Sequence, residues 1–298
     1  MIFAAIDIGS NAVRLLFANV FENTSKQIIF SKASFIRIPL RLGEDVFSEG
    51  YIRDSSLAKL IETLQAFKQL IAVYDTKDYC ICATAAMREA QNSAAVVQEV
   101  FTKTGMKINV IDGLEEANII RMAGENMPNH SQNIGMYVDV GGGSTEISVT
   151  RNNKFENSYS FQLGTLRLLH NLESQEEWIR LDKWLNAFKA DFGKIFLVGS
   201  GGNINKLTKL FGDKLNLKMN FSQLNKAYQE MSNLSMAERM STYSLRPDRA
   251  DVIVPAAKLF LHIMEYTKTK QIQVPKFGLA DGMVCQLYTQ YMAKHKSN

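Results

Sequence analysis

The chain repeats itself. Ala4 to Phe17 reads AAIDIGSNAVRLLF and Met136 to Val149 reads MYVDVGGGSTEISV, and the two align without a gap, Asp7 over Asp139 and Gly9 over Gly141. Each copy is a short apolar run that places an Asp near its end, then a turn of small residues, then a second strand-like run. Small residues let backbone N–H groups come close to a ligand, and a concave row of such groups binds anions. An Asp beside that row can hold a divalent cation facing phosphate oxygens. Two copies predict two lobes, each offering a phosphate loop to a shared cleft. One such turn alone reads as readily as an ordinary tight hairpin; the aligned pair, with an Asp two residues before the glycine in both, favours the ligand. No GxxxxGK[ST] occurs, and each turn leads into a strand rather than a helix, so neither is a Walker loop nor a dinucleotide fingerprint.

The rest of the chain is compatible with two lobes. Its 298 residues suit two domains. With 46% hydrophobic and 21% charged residues it is neither disordered nor fibrous. A net charge of +4 suits an anionic small substrate and does not demand nucleic acid. Three cysteines make no disulfide framework, and Cys80 and Cys82 lie in an apolar run as buried strand thiols. His130, His170, His262 and His295 have no zinc-site spacing. No run approaches ~18 uninterrupted apolar residues, so no membrane span is expected. The N-terminus lacks a basic leader, which makes a cytoplasmic location the default.

Strands are expected at 3–8, 13–20, 27–35, 79–83, 107–111, 135–140, 144–150, 155–162, 195–199 and 271–275. Helices are expected from 57, between Ser93 and Gly105, over 175–190, 222–240 and 247–267, and from about 281. Pro39 to Gly50 reads as loop, and Asn126 to Asn133 as the surface loop near the lobe boundary.

Taken together these motifs resemble the exopolyphosphatase and guanosine pentaphosphate phosphatase (Ppx/GppA) family, within the actin/hexokinase-like ATPase superfamily. The matching stretches are Asp7 to Leu15, Ala83 to Ala90, Gly113 to Ala117, Asp139 to Glu146, Gly199 to Gly202 and Arg249 to Pro255, in family order and almost from end to end. The resemblance implies an α/β fold of two actin-like (ribonuclease H-like) lobes, each a mixed five-stranded sheet with flanking helices, with the active site in the interlobe cleft. The lobes would be residues 1–122 and 123–298, the last helix (about 281–295) returning to the first lobe, as in the short two-domain form. The implied activity is release of terminal orthophosphate from inorganic polyphosphate. The alternative is the 5′-phosphate of guanosine pentaphosphate; a superfamily kinase or ATPase and a non-catalytic nucleotide sensor are further readings. Partners would be these polyanions, neither nucleic acid nor membrane, and a homodimer is admitted.

The resemblance also assigns roles. Glu116 is the general base; read alone, it equally complements a helix N-terminus. Asp139 and Glu146, with Asp7 as their first-lobe counterpart, hold Mg2+ or another divalent cation such as Mn2+; Asp7 alone could equally cap its turn. Ser10, Asn11, Gly142, Gly143, Ser144 and Thr145 form the phosphate cradle. Arg88 is a cationic clamp on the terminal phosphate, or else a surface partner of Glu89 or Glu115. Arg14 binds phosphate or spans the lobes as an ion pair. Gly199 to Gly202 takes the place of the superfamily's nucleoside-binding segment. Lys206, Lys209, Lys214, Lys218, Arg239, Arg246 and Arg249 could guide a polyanion, although the lysines equally suit a solvated helix face. One departure is Ala280 in Gly278-Leu-Ala-Asp-Gly282, where the family commonly has an Arg or similar residue; this puts a substrate-distal contact and a preference for long chains in question.

Overall fold

The structure is a computed structural model that describes residues 1–22, 28–124 and 134–295. The chain divides into two compact units, Met1–Glu125 with Gly278–Asn298, and Asn126–Phe277. The polar run at 126–133, expected as the loop near the boundary, lies outside the described residues.

The first unit opens with three antiparallel strands, β1 (Ile2–Ile8), β2 (Val13–Glu22) and β3 (Ile28–Ile38). Helices α1 (Leu42–Glu49) and α2 (Asp54–Val73) lead to β4 (Asp78–Ala83). Then come α3 (Ala85–Glu89), α4 (Ser93–Thr104), the short β5 (Asn109–Val110) and α5 (Gly113–Gly124). The sheet order is β3-β2-β1-β4-β5, with β4 parallel to β1. Beyond its partly exposed first residue β1 is wholly buried, as a central strand covered on both faces should be. Helix α2 buries Leu57, Leu60, Leu64, Phe67 and Ile71, a stripe at helical spacing.

The second unit repeats this plan. Strands β6 (Ile134–Val140), β7 (Thr145–Arg151) and β8 (Lys154–Phe161) form the antiparallel meander. There follow α6 (Thr165–Leu169), α7 (Gln175–Asn186), β9 (Phe196–Ser200), α8 (Gly202–Phe211) and β10 (Lys218–Asn220). Helices α9 (Phe221–Ser232), α10 (Met236–Tyr243), α11 (Pro247–Ala250) and α12 (Ile253–Tyr266) precede β11 (Gln271–Gln273). The order β8-β7-β6-β9-β11 matches that of the first sheet, and β10 adds a sixth strand beyond β11. The second sheet thus exceeds the five strands expected. The last helix, α13 (Leu279–His295), belongs to the first unit, where Tyr288 meets Phe3 and Phe30 edge-on.

Several local expectations fail for physical reasons. The segment read as loop from Pro39 to Gly50 contains α1. Its entry residue, Arg41, is left-handed at φ 57°, and the Gly43 N–H donates to the Ser10 carbonyl at 2.8 Å. Tertiary contact rather than local pattern therefore fixes this helix. The helix expected over 222–240 breaks at Ser235, whose hydroxyl and Glu238 form a capping box that starts α10. Ser93 opens α4 without capping it; the Asn92 side chain instead bonds both the N–H and the carbonyl of Ile52. Of the strand expected at 107–111, only two residues pair, as β5. No helix among the described residues is long and apolar enough to cross a membrane.

Candidate active site

In the first unit the repeated turn joins β1 to β2. The Gly9 N–H closes it on the Ala12 carbonyl at 3.1 Å. The Ser10 and Asn11 carbonyls are taken by the backbone N–H groups of Gly43 and Arg41, at 2.8 and 3.2 Å. Asp7 and Arg14 face each other across the β1–β2 pair and form an ion pair. Arg14, expected on phosphate or spanning the lobes, is thus engaged by an Asp of its own sheet. Asp7 is 2% exposed, so this is a buried carboxylate with its counter-charge beside it.

Glu116 lies in the first turn of α5 and is buried, whereas Glu115 is exposed. Adjacent helical residues differ by about 100° around the axis, which separates the two carboxylates. The start of α5 is fixed. Asp112 accepts from the N–H groups of Leu114 and Glu115 at 2.9 and 2.8 Å, and the Ile111 N–H donates to the Ala83 carbonyl. Arg88, on α3, donates from Nη1 to the Ile111 carbonyl at 2.8 Å, and the same nitrogen lies 3.6 Å from Glu116 Oε2. The partner of Arg88 is therefore Glu116, neither Glu89 nor Glu115. Cys82 pairs with Asp7 across β4 and β1. Burial first, and then the charges of Asp7, Glu115 and Glu116, push its thiol up to about 12. Asp7, Cys82 and Glu116 thus share one electrostatic neighbourhood.

The second turn has the same closure, from the Gly141 N–H to the Ser144 carbonyl at 2.9 Å. Its carbonyls are also drawn to a following helix. Gly141 and Gly142 accept from the N–H groups of Thr165 and Leu166, and Gly143 accepts from Arg167 Nε at 2.8 Å. Among the described residues, no backbone carbonyl accepts from the N–H of Gly142, Gly143 or Ser144. Thr145 donates its hydroxyl to the Leu163 carbonyl and is fully buried, so its side chain ties the loop down. A Cβ on Gly164 would stand 2.3 Å from the Gly142 carbonyl oxygen; only glycine lets the chain pass so close. Sequence reasoning missed Gly43, Gly164 and Arg167. A signal was available in the Leu-Gly pairs that follow each meander, Leu42-Gly43 opening α1 and Leu163-Gly164 just before α6.

The two units differ at one decisive place. Across the first sheet, Cys82, Asp7, Arg14 and Arg37 stand in register. Across the second, the corresponding row is Ser200, Asp139, Glu146 and Ser160. Where Asp7 faces an arginine, Asp139 faces a second carboxylate. Ser200 donates to Asp139, and Ser160 donates to Glu146 at 2.7 Å. Like charges directly opposed on a sheet repel, and a cation beside them would offset that repulsion. Two carboxylates with hydroxyl neighbours suit Mg2+, which keeps several waters and takes few protein oxygens. Among the described residues no group of three or more His, Cys, Asp or Glu is placed to hold a metal ion.

The remaining cations divide. Arg239 bonds the carbonyls of Met231 and Ala250 at 2.7 and 2.9 Å, so it links helices rather than awaiting a polyanion. Arg246 lies 3.5 Å from Asp248. Arg249 comes against Gly202 at the start of α8, and burial, then Lys209 and Arg249, lower the Lys206 pKa.

The sequence model of the Ppx/GppA phosphatase family matches residues 23–290. The bifunctional 3-dehydroquinate synthase/phosphatase of Fusobacterium nucleatum is 28% identical over 88% of this chain, which spans 43% of that protein's length. Exopolyphosphatase 1 of Mycobacterium tuberculosis is 24% identical, over 95% of this chain and 87% of its own. The crystal structure of an exopolyphosphatase from Cytophaga hutchinsonii superposes with a TM-score of 0.83 at 19% identity, covering 97% of this chain and 98% of the other.

Proposed function

Because this chain belongs to the Ppx/GppA phosphatase family, we propose that it is an exopolyphosphatase that releases terminal orthophosphate from inorganic polyphosphate. The observation that carries the reading is Glu116: a buried carboxylate held 3.6 Å from the Arg88 guanidinium, while its neighbour Glu115 faces solvent. A general base needs a fixed position near a group that binds the reacting phosphate.

In this reading Glu116 takes a proton from water as the water oxygen attacks the terminal phosphorus. The bridging P–O bond breaks, orthophosphate leaves, and the chain shortens by one unit. Arg88 moves its charge from Glu116 to the terminal phosphate oxygens, which frees the carboxylate as substrate arrives. The amides of Gly142, Gly143 and Ser144 and the polar turn at Ser10 and Asn11 receive phosphate oxygens. Asp139 and Glu146 would hold Mg2+, which supplies charge neutralisation for the phosphate oxygens when bound. Asp7 orients Arg14 rather than sharing that cation. The enzyme would work in the cytoplasm, where its three thiols stay reduced.

Guanosine pentaphosphate is the second reading. The matching family model covers phosphatases of both kinds and does not separate them. Phosphate release from long polyphosphate, tripolyphosphate, guanosine pentaphosphate and ATP, with and without Mg2+, separates the readings. The proposal expects Mg2+-dependent release from long polyphosphate at the highest kcat/KM. Release confined to guanosine pentaphosphate would replace it with the second reading, and ATP as the preferred substrate would reject both.

A further inference from the structure

We propose that Gly282 is a positioning residue for Glu116, acting through α5; the inference rests on the reading of Glu116 as the base. Helix α13 passes so close to α5 that a Cβ on Gly282 would lie 1.9 Å from the carbonyl oxygen of Ile119 and 2.7 Å from its carbonyl carbon. Both are backbone atoms, so no change of rotamer relieves the clash. Ile119 is buried and follows Glu116 by three residues, one turn further along the same helix.

The other end of α5 cannot retreat. Asp112 caps its first turn, and Ile111 is held by the Ala83 carbonyl on one side and by Arg88 on the other. With that end pinned, an added methyl at position 282 must push the second turn away and swing the helix about its start. Cβ contacts below 3.0 Å essentially do not occur, so the separation must grow by about 1 Å, a misplacement that can cost ~10²-fold in rate. The carboxylate of Glu116 lies between the pinned turn and the displaced one. Gly282 therefore sets the depth at which α5 presents Glu116 to Arg88.

The neighbouring glycine provides the contrast. A Cβ on Gly278 meets nothing within 4 Å, and its N–H, donated to Asp281 Oδ2 at 2.9 Å, survives substitution by alanine. Asp281 also pairs with Lys32 on β3 at 2.8 Å, tying the start of α13 to the sheet. Glycine is a poor helix former; the close crossing supplies the reason for it at 282, inside α13, whereas Gly278 precedes the helix.

The test compares Gly282→Ala, Gly278→Ala and Glu116→Gln in the full chain, with kcat and KM on polyphosphate and circular dichroism to establish folding. Gly282→Ala is expected to lower kcat at least tenfold while KM stays within about twofold, and Gly278→Ala to match wild type in both. Loss of active protein alone would also lower apparent kcat at constant KM, so kcat is referred to the folded fraction given by circular dichroism; a merely structural role leaves kcat per folded molecule unchanged. A folded Gly282→Ala with kcat within twofold of wild type overturns the inference. If that variant does not fold, Asp281→Ala loosens the start of α13 without adding an atom. It is expected to lower kcat severalfold at constant KM, and an unchanged kcat overturns the inference. If Glu116→Gln retains wild-type rate, the base assignment fails and this inference falls with it. If Glu116→Gln is inactive and Gly282→Ala is normal, only the positioning role is lost.

Discussion

A difference of one position separates an exposed Glu115 from a buried Glu116, and the proposed chemistry depends on it. The matching Glu-Glu-Ala stretch pointed to the second glutamate in sequence, but the partner of Arg88 was not legible there, because α3 and the start of α5 meet only through the fold. Arg88→Ala is expected to raise KM for polyphosphate at least tenfold and to weaken the dependence of KM on ionic strength, measured between 50 and about 300 mM salt. An unchanged KM and salt response would remove Arg88 from phosphate binding. Cys82 offers a second test. Its thiol, pushed up to about 12 chiefly by burial, stays protonated at pH 8.5, above which an ordinary thiol ionises. Iodoacetamide at pH 8.5 should leave Cys82 unmodified in the native protein and label it after unfolding, as read by peptide mapping; rapid native labelling would contradict the environment described. The Asp7 and Arg14 pairing shows where residue reading stops. Both were singled out for ligands, and in the fold they also form an ion pair with each other across β1 and β2.

At the scale of elements, each repeated turn is a hairpin turn whose carbonyls are held by a helix start, α1 in the first unit and α6 in the second. The duplicated strands were plain in the sequence because an apolar run before a small-residue turn is a strong local signal. The two short helices were not, because neither has enough length for an amphipathic stripe. Gly164→Ala tests whether this second layer matters. Its new Cβ would meet backbone at Gly142 and Gly143, so stability should fall by about 1–3 kcal/mol in urea denaturation. KM for polyphosphate should rise with it, because the displaced residues belong to the proposed cradle. A variant with wild-type stability and KM would show that the loop does not depend on this approach.

At the scale of the whole chain, the two units follow one plan, with the same order along both sheets from the meander to the parallel strands. The repeat announced this, whereas the extra strand β10 carries only three residues and leaves no pattern to read. The assignment of α13 to the first unit has a direct consequence. Removing residues 278–298 would uncover the faces against Leu279, Met283, Val284, Leu287 and Tyr288, all buried now. The truncated chain should bind a hydrophobic dye and lose cooperative unfolding of the first unit; a soluble product with a wild-type melting profile would contradict that. In the proposed reading, hydrolysis by the folded chain turns on one carboxylate. Phosphate release by Glu116→Gln, measured beside polyphosphate binding at equal protein concentration, should fall by ~10²–10⁴-fold while affinity stays within about threefold. Release at the wild-type rate would contradict the assignment of Glu116 as the base.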